Sequence, residues 1–212
     1  MTKVVKFGGS SLANASQFSK AGKIIRSEES RRYVVPSAPG KRNAKDTKVT
    51  DMLYRCYEMA EAEEDFMPLL KKIQERFDTI INGLNMAFSL NDEFGVIAEN
   101  FKKKAGTDYA ASRGEYLNGR IMANYLGYEF IDAAEVIRFR ENGEFDADTT
   151  DAILSKRLKD CERAVIPGFY GAKEDGTVKT FSRGGSDITG SIVAKAVRAD
   201  IYENWTDVSG FL

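Results

Sequence analysis

Four short segments carry residues whose types and spacing suit phosphate and amino-acid chemistry. The first is Lys6-Phe7-Gly8-Gly9-Ser10-Ser11. Two glycines directly after an apolar stretch let the backbone approach a phosphate with its N–H groups free to donate, and a lysine just before them supplies a point charge. A plain structural turn accounts for Gly8-Gly9 equally well. The second segment, Val35-Pro36-Ser37-Ala38-Pro39-Gly40-Lys41-Arg42, places small residues at the end of another strand. That edge is where open α/β sheets bind ligands, with a simple turn again the competing reading. The third, Ser112-Arg113-Gly114-Glu115, offers a carboxylate able to grip an ammonium group, against the plainer reading of a solvated surface glutamate. The fourth, Phe181-Ser182-Arg183-Gly184-Gly185-Ser186-Asp187, is the most informative, because it follows a predicted strand and opens a predicted helix. Glycines at a helix N-terminus make an anion site, and Arg183 adds a planar fork suited to a carboxylate. Asp187 in the first helical turn could serve only the helix dipole, but that reading leaves Arg183, Gly184, Gly185 and Ser186 unexplained.

Several chemistries are excluded. The chain has no histidine, so it holds no Ser-His-Asp triad, no Cys-His dyad and no histidine-ligated metal. Gly40-Lys41 is followed by Arg42 rather than the Ser or Thr of a P-loop, and no Rossmann fingerprint is present. Chemistry must rest on Lys, Arg, Asp, Glu, hydroxyls, backbone N–H groups and Mg²⁺ brought in with a nucleotide. A net charge of −1 gives no argument for a nucleic-acid or membrane partner. No apolar run approaches the roughly 18 residues of a membrane span. Residues 1–7 read as a strand rather than a signal peptide, so a cytoplasmic location is expected. Cys56 and Cys161 read as two buried small hydrophobes.

These segments need a scaffold. At 212 residues, 42% hydrophobic and 30% charged, the chain is long enough for one sizeable soluble domain. Strands are expected at 3–7, 33–35, 129–132, 163–167 and 200–203. Helices are expected at 16–27, 50–64, 108–126, 148–159 and from Gly184 to about residue 197. Residues 66–104 read as wholly helical, with apolar residues recurring at three and four and no chemistry of their own. Small hairpins are expected at 136–145, turning at Asn142-Gly143, and at 169–181, turning at Asp175-Gly176. The polar, basic stretch 40–48 reads as a mobile loop. Strands alternating with helices predict a three-layer α/β/α sandwich around a mainly parallel central sheet.

In this order the four segments resemble the aspartate kinases of the amino-acid kinase family. The family's K-F-G-G-T-S stands here as K-F-G-G-S-S, its S-x-G-E as S-R-G-E, and its G-R-G-G-S-D as S-R-G-G-S-D. Trp205-Thr206-Asp207-Val208-Ser209-Gly210 is similar to the family's nucleotide-contacting segment. Ser10 in place of Thr and Ser182 in place of Gly are the departures. The resemblance implies transfer of the γ-phosphoryl group of Mg-ATP to the side-chain carboxylate of L-aspartate, giving 4-phospho-L-aspartate. That reaction is the first step of lysine, threonine and methionine biosynthesis. It implies that Lys6 neutralises the transferring phosphoryl group and that Asp187 orients Lys6. The amides of Gly8, Gly9, Ser10 and Ser37 would hold phosphate oxygens, with Gly184 and Gly185 in the same set. Arg183 would clamp the substrate α-carboxylate, Glu115 its amino group, and Thr50 and Ser186 would complete the substrate contacts. Thr206 and Asp207 would face the nucleotide. Mg²⁺ would arrive on the nucleotide, with no metal site in the protein itself.

The same resemblance implies that residues 1–212 form the aspartate-binding lobe plus the start of the nucleotide lobe, with helical segment 66–126 inside it. Relative to the family the chain stops before the rest of the nucleotide lobe and the ACT domains. The expectation is a fragment that binds ATP poorly, turns over little and exposes a sheet edge after Glu203, favouring self-association. A coupled ADP-release assay giving normal turnover would refute it. Two alternatives stay open: another family member acting on glutamate or a nucleoside monophosphate, and a non-catalytic fragment that assembles with intact subunits.

Overall fold

The computed structural model describes residues 1–182 and 184–206. Among them, five parallel strands form one sheet in the order β3-β4-β2-β1-β7. The strands are β1 (Lys3–Phe7), β2 (Arg31–Pro36), β3 (Glu129–Phe130), β4 (Ala164–Val165) and β7 (Ile201–Trp205). Strand β1 lies between β2 and β7, with Lys6 opposite Val35 on one side and Asn204 on the other. An antiparallel pair, β5 (Tyr170–Ala172) and β6 (Val178–Thr180), stands apart from this sheet.

Helices cover both faces. The period-2 alternation of a strand sends neighbouring side chains to opposite sides. Val5 and Phe7 of β1 join one core, with α1 (Ala15–Arg26), α2 (Val49–Glu61), α3 (Met67–Gly83), α4 (Asn91–Lys102) and α5 (Thr107–Leu126). Val4, Tyr33 and Val35 join a second core, with α6 (Ala133–Val136), α7 (Ala147–Leu158) and α8 (Gly185–Ala196). The outcome is the expected three-layer α/β/α sandwich. Lys6 shares the face of Val4 and therefore looks toward α8, not toward the large helical layer.

Three local expectations are corrected. Residues 66–104 are not wholly helical: two helices, Met67–Gly83 and Asn91–Lys102, are separated by the non-helical stretch 84–90. Helix α3 stops at Gly83, and Asn85 takes φ 54, the left-handed backbone that ends helices and that Asn tolerates better than most residues. The hairpin at 136–145 is minimal: α6 occupies its start, and a single Phe139–Phe145 bridge closes the turn. Stretch 40–48 is irregular, yet it is pinned to α3 by the buried Arg76, which donates to the Thr47 carbonyl at 2.7 Å and pairs with Asp46 at 3.1 Å. Cys56 and Cys161 are buried free thiols, as read.

Candidate active site

In a parallel sheet the strands' C-terminal ends lie along one edge. The loops after β1 and β2 leave this edge and cross each other at two glycines. Gly40 donates its N–H to the Gly9 carbonyl at 2.7 Å. A Cβ on Gly40 would stand 2.6 Å from the Gly9 carbonyl carbon and 2.7 Å from the Ser10 nitrogen, and one on Gly9 would stand 2.8 Å from the Ala38 carbonyl oxygen. Only glycine permits this approach. After Gly8 the chain makes a short 3₁₀ turn, Gly9–Leu12, whose first internal bond runs from Ser11 N–H to Gly8 O at 3.1 Å. The amides of Gly9 and Ser10 precede that bond, so they are the ones the turn leaves for an outside acceptor. The amides of Gly8 and Ser37 are already committed within the sheet edge, to the carbonyls of Trp205 and Phe7, each at 3.0 Å.

Lys6 is buried, and its Nζ lies 2.8 Å from Asp187 Oδ1. Its ammonium also sits 3.8 Å from where a Gly8 Cβ would be, at the mouth of the glycine turn. Asp187 is in the first turn of α8, which starts after Gly184, a residue with φ 65. Two further residues hold Asp187. Asn204 Nδ2 donates to the same Oδ1 at 2.9 Å, and the Tyr202 hydroxyl donates to the Asp187 carbonyl at 3.3 Å. Both lie on β7, where register places Asn204 directly beside Lys6. Ser186 is half-buried, its Oγ packed against Gly168.

Glu115 lies across the crossing loops. It is 7% exposed, which overturns the surface reading. The reason is that α5 runs through the interior, with Ala110 to Glu115 all buried. Burial pushes the Glu115 carboxyl up to about 8, against the hydrogen bond it accepts from the Ala38 N–H. One turn on, Asn118 Nδ2 donates to the Ser37 carbonyl at 2.7 Å. Residues 115 and 118, at helical spacing, thus fasten the β2 loop from below. Glu115 Oε2 and Asn204 Oδ1 are buried polar atoms that lack a partner among the described residues. Such orphans carry a cost that a bound ligand can relieve. Arg113, by contrast, stacks at 4.5 Å on each of Tyr109 and Tyr116.

Thr50 is half-buried in the first turn of α2, whose Val49 and Leu53 side chains approach Gly114. Thr206 is exposed and lines a cavity of about 350 Å³ with Ser10, Ser11 and Trp205. Gly185 is buried against Phe169 and Phe181. Arg183 and Asp207 lie outside the described residues.

Residues 1–212 match the amino acid kinase family along their whole length. The chain belongs to the amino acid kinase family. It is 39% identical to Aspartokinase 3 of Bacillus subtilis over 97% of this chain and 48% of that protein. Among solved structures, the aspartate kinase of Clostridium acetobutylicum is 51% identical, with a TM-score of 0.96, over 99% of this chain and 48% of that one. Aspartokinase III of Escherichia coli, solved with aspartate and ADP, is 27% identical, with a TM-score of 0.81, over 99% and 50%. The chain thus spans about half the length of these relatives.

The fold pairs Lys6 with Asp187 beside the glycine turn of Gly9 and Ser10, and links Glu115, inside α5, to this edge through Ala38 and the Gly40–Gly9 crossing. Sequence reading missed Asn118, Tyr202 and Asn204. Asn204 stands just past the expected strand 200–203 and two residues before Thr206, and that position next to the nucleotide segment was the available signal. No metal-binding group of three or more acidic or cysteine residues occurs among the described residues. No helix among them is long and apolar enough to cross a membrane.

Proposed function

We propose that this chain is the aspartate-binding lobe, plus the start of the nucleotide lobe, of an aspartate kinase. The reaction transfers the γ-phosphoryl group of ATP to the side-chain carboxylate of L-aspartate. The observation that carries the reading is the pairing of two unlike subsites. A lysine–aspartate pair stands at the mouth of a glycine turn, and a buried glutamate with an orphaned oxygen lies across the crossing loops. The first suits a phosphoryl group and the second an ammonium. A nucleoside monophosphate would bring no cation to Glu115.

A carboxylate nucleophile is ionised at pH 7, so no general base is needed. One aspartate side-chain oxygen attacks the γ-phosphorus, the bond to the β,γ-bridging oxygen breaks, and ADP leaves with that electron pair. Catalysis is then positioning and charge stabilisation. The Lys6 ammonium neutralises the transferring oxygens, and Asp187 with Asn204 fixes its place. The Gly9 and Ser10 amides donate to phosphate, while Gly8, Ser37, Gly184 and Gly185 shape the turn and the helix start around it. Glu115 takes the substrate ammonium, and Arg183, Thr50 and Ser186 take its carboxylates. Thr206 and Asp207 meet the nucleotide. The crowded glycine turn and free amides fit a triphosphate, and Mg²⁺ carried by the nucleotide supplies further charge neutralisation.

A cytoplasmic location and a homo-oligomer are both compatible with this reading. Titration calorimetry with L-aspartate and Mg-ATP, each alone, tests the assignment. Glu115→Ala should weaken L-aspartate at least about 100-fold, the cost of stranding one charge of a buried pair, and leave Mg-ATP unchanged. Preference of the unaltered protein for glutamate or for a nucleoside monophosphate would overturn it.

A further inference from the structure

Helix α3 shows nothing chemical in sequence, yet its buried side carries one cation. Arg76 sits among Ile73, Phe77 and Ile80 and is 5% exposed. Burying a guanidinium is costly unless its arms are paired, and with Nε lacking a partner among the described residues the two Nη arms carry the bonding. Here Nη1 donates to the Thr47 carbonyl at 2.7 Å, while Nη2 donates to the Gly40 carbonyl and pairs with Asp46 at 3.1 Å. Asp46 is itself gripped by Arg42, through Nε at 2.8 Å, Nη2 at 2.9 Å and the backbone N–H at 2.9 Å. The guanidinium therefore ties the two ends of the 40–48 loop to α3.

One of those ends is the glycine crossing. The Gly40 N–H bonds the Gly9 carbonyl at 2.7 Å. A trans peptide is planar, so its C=O and N–H point in opposite directions. Fixing the Gly9 carbonyl therefore fixes the direction of the next amide, the N–H of Ser10.

We propose that Arg76 is a positioning residue for phosphoryl transfer: its fork holds Gly40, Gly40 holds the Gly9 carbonyl, and the Ser10 amide is thereby aimed at the phosphate. The inference rests on the aspartate kinase reading above. It assigns to α3 a role in the nucleotide step that aspartate binding does not share, because Glu115 and Asn118 fasten the β2 loop at Ala38 and Ser37 by a separate route.

Two variants of the intact enzyme carrying this chain separate the roles. Arg76→Lys keeps a cation beside Asp46 but cannot span Gly40 and Thr47 together, since an ammonium lacks the planar fork. Asp46→Asn removes the ion pair and leaves both carbonyl bonds. Expected for Arg76→Lys are a kcat at least about tenfold lower and a raised KM for Mg-ATP, with the KM for L-aspartate within about twofold, the orientation loss expected of a displaced donor. Asp46→Asn should lower Tm and leave kcat within about twofold. Hydrogen exchange at Gly40, whose N–H bonds the Gly9 carbonyl, should quicken in Arg76→Lys and not in Asp46→Asn. Unchanged turnover and Gly40 exchange in Arg76→Lys would overturn the proposal, as would equal losses for both substrates alongside a collapse in Tm. If the unaltered enzyme phosphorylates no L-aspartate, the reading of function fails first, and the Gly40 exchange result still decides whether Arg76 orders the turn.

Discussion

Glu115 shows how much of a residue's chemistry is set by what surrounds it. Its neighbours in sequence are ordinary, and the same four residues on an exposed helix would place a carboxylate in water. Burial instead pushes its carboxyl up to about 8, from an ordinary 4.5, because removing a charge from water disfavours the ionised form. At pH 7 the empty site therefore holds mainly the neutral acid. An ammonium substrate binds the carboxylate, so L-aspartate should expel most of a proton at pH 7 and almost none above about pH 9. Calorimetry in buffers of different ionisation enthalpy measures this directly, and a binding heat independent of the buffer would sink it. The Kd should tighten by up to about tenfold per unit as pH rises from 6 toward 8. Stability runs the other way. The folded value stands above the unfolded one, so the folded state binds the proton more tightly. The residue's contribution to stability therefore falls as pH rises from about 4.5 to about 8, and stays low beyond. The sequence showed that a carboxylate was available here; its protonation depends on packing by segments far away along the chain.

At the scale of elements, the glycines make the sharpest contrast. Gly40 meets backbone atoms of Gly9 and Ser10, which cannot swing aside as a side-chain tip can. Gly40→Ala should separate the two loops and lower kcat at least about tenfold while the far helices keep their protection from exchange. Gly95, in the middle of α4, is exposed with nothing within 4 Å of an added Cβ. Gly95→Ala should raise stability by up to about 1 kcal/mol, or about 2–4 °C in Tm, by removing backbone freedom from the unfolded chain. Thermal melts of the two variants decide the point: stabilisation by both, or loss by both, contradicts it. The same contrast explains what was legible. Strands β1, β2 and β7, helices α1, α2, α5, α7 and α8, and the β5–β6 hairpin follow local periodicity and turn residues, and they stand within a few residues of expectation. The break after Gly83 was hidden because Leu84, Met86 and Phe88 continue an apolar rhythm across it, although Gly83 and Asn85 are the residues that end helices. The clamp on the 40–48 loop was invisible because Arg76 lies about 30 residues beyond it, within a run that reads as core. Asn204 and Tyr202 reach Asp187 only through strand pairing, which local sequence does not state.

The whole molecule depends on joining its first strand to its last described one. Strand β7 is the outer strand beside β1 among the described residues, and Asn204 meets Lys6 only in this register. The opposite face of the same strands is locked by charge. Lys3 pairs with Glu28 at 2.7 Å and Glu203 at 3.0 Å, Arg31 Nε pairs with Glu203 at 2.9 Å, and Trp205 Nε1 donates to Glu203 at 2.8 Å. Glu203 thus gathers donors from three adjacent strands, so its carboxylate records the register. Burial alone would raise its carboxyl, but the Arg31, Trp205 and Lys3 donors outweigh that and hold it below the usual carboxylate range; the Lys3 bond likewise lowers Glu28. Both folded values are depressed, so this stabilisation is complete above the unfolded value of about 4.5 and is lost as pH falls through the folded ones. Replacing both with glutamine should lower Tm by several degrees at pH 7 and flatten its fall between pH 5 and pH 3, since two of the titrating groups are gone. Other paired carboxylates still titrate, so the decisive quantity is the difference in slope between the two proteins. Parallel acid limbs would mean that the network follows the register rather than enforcing it. A flatter limb together with weaker Mg-ATP binding at pH 7 would show that charges on one face of the sheet hold the lysine–aspartate pair in place on the other.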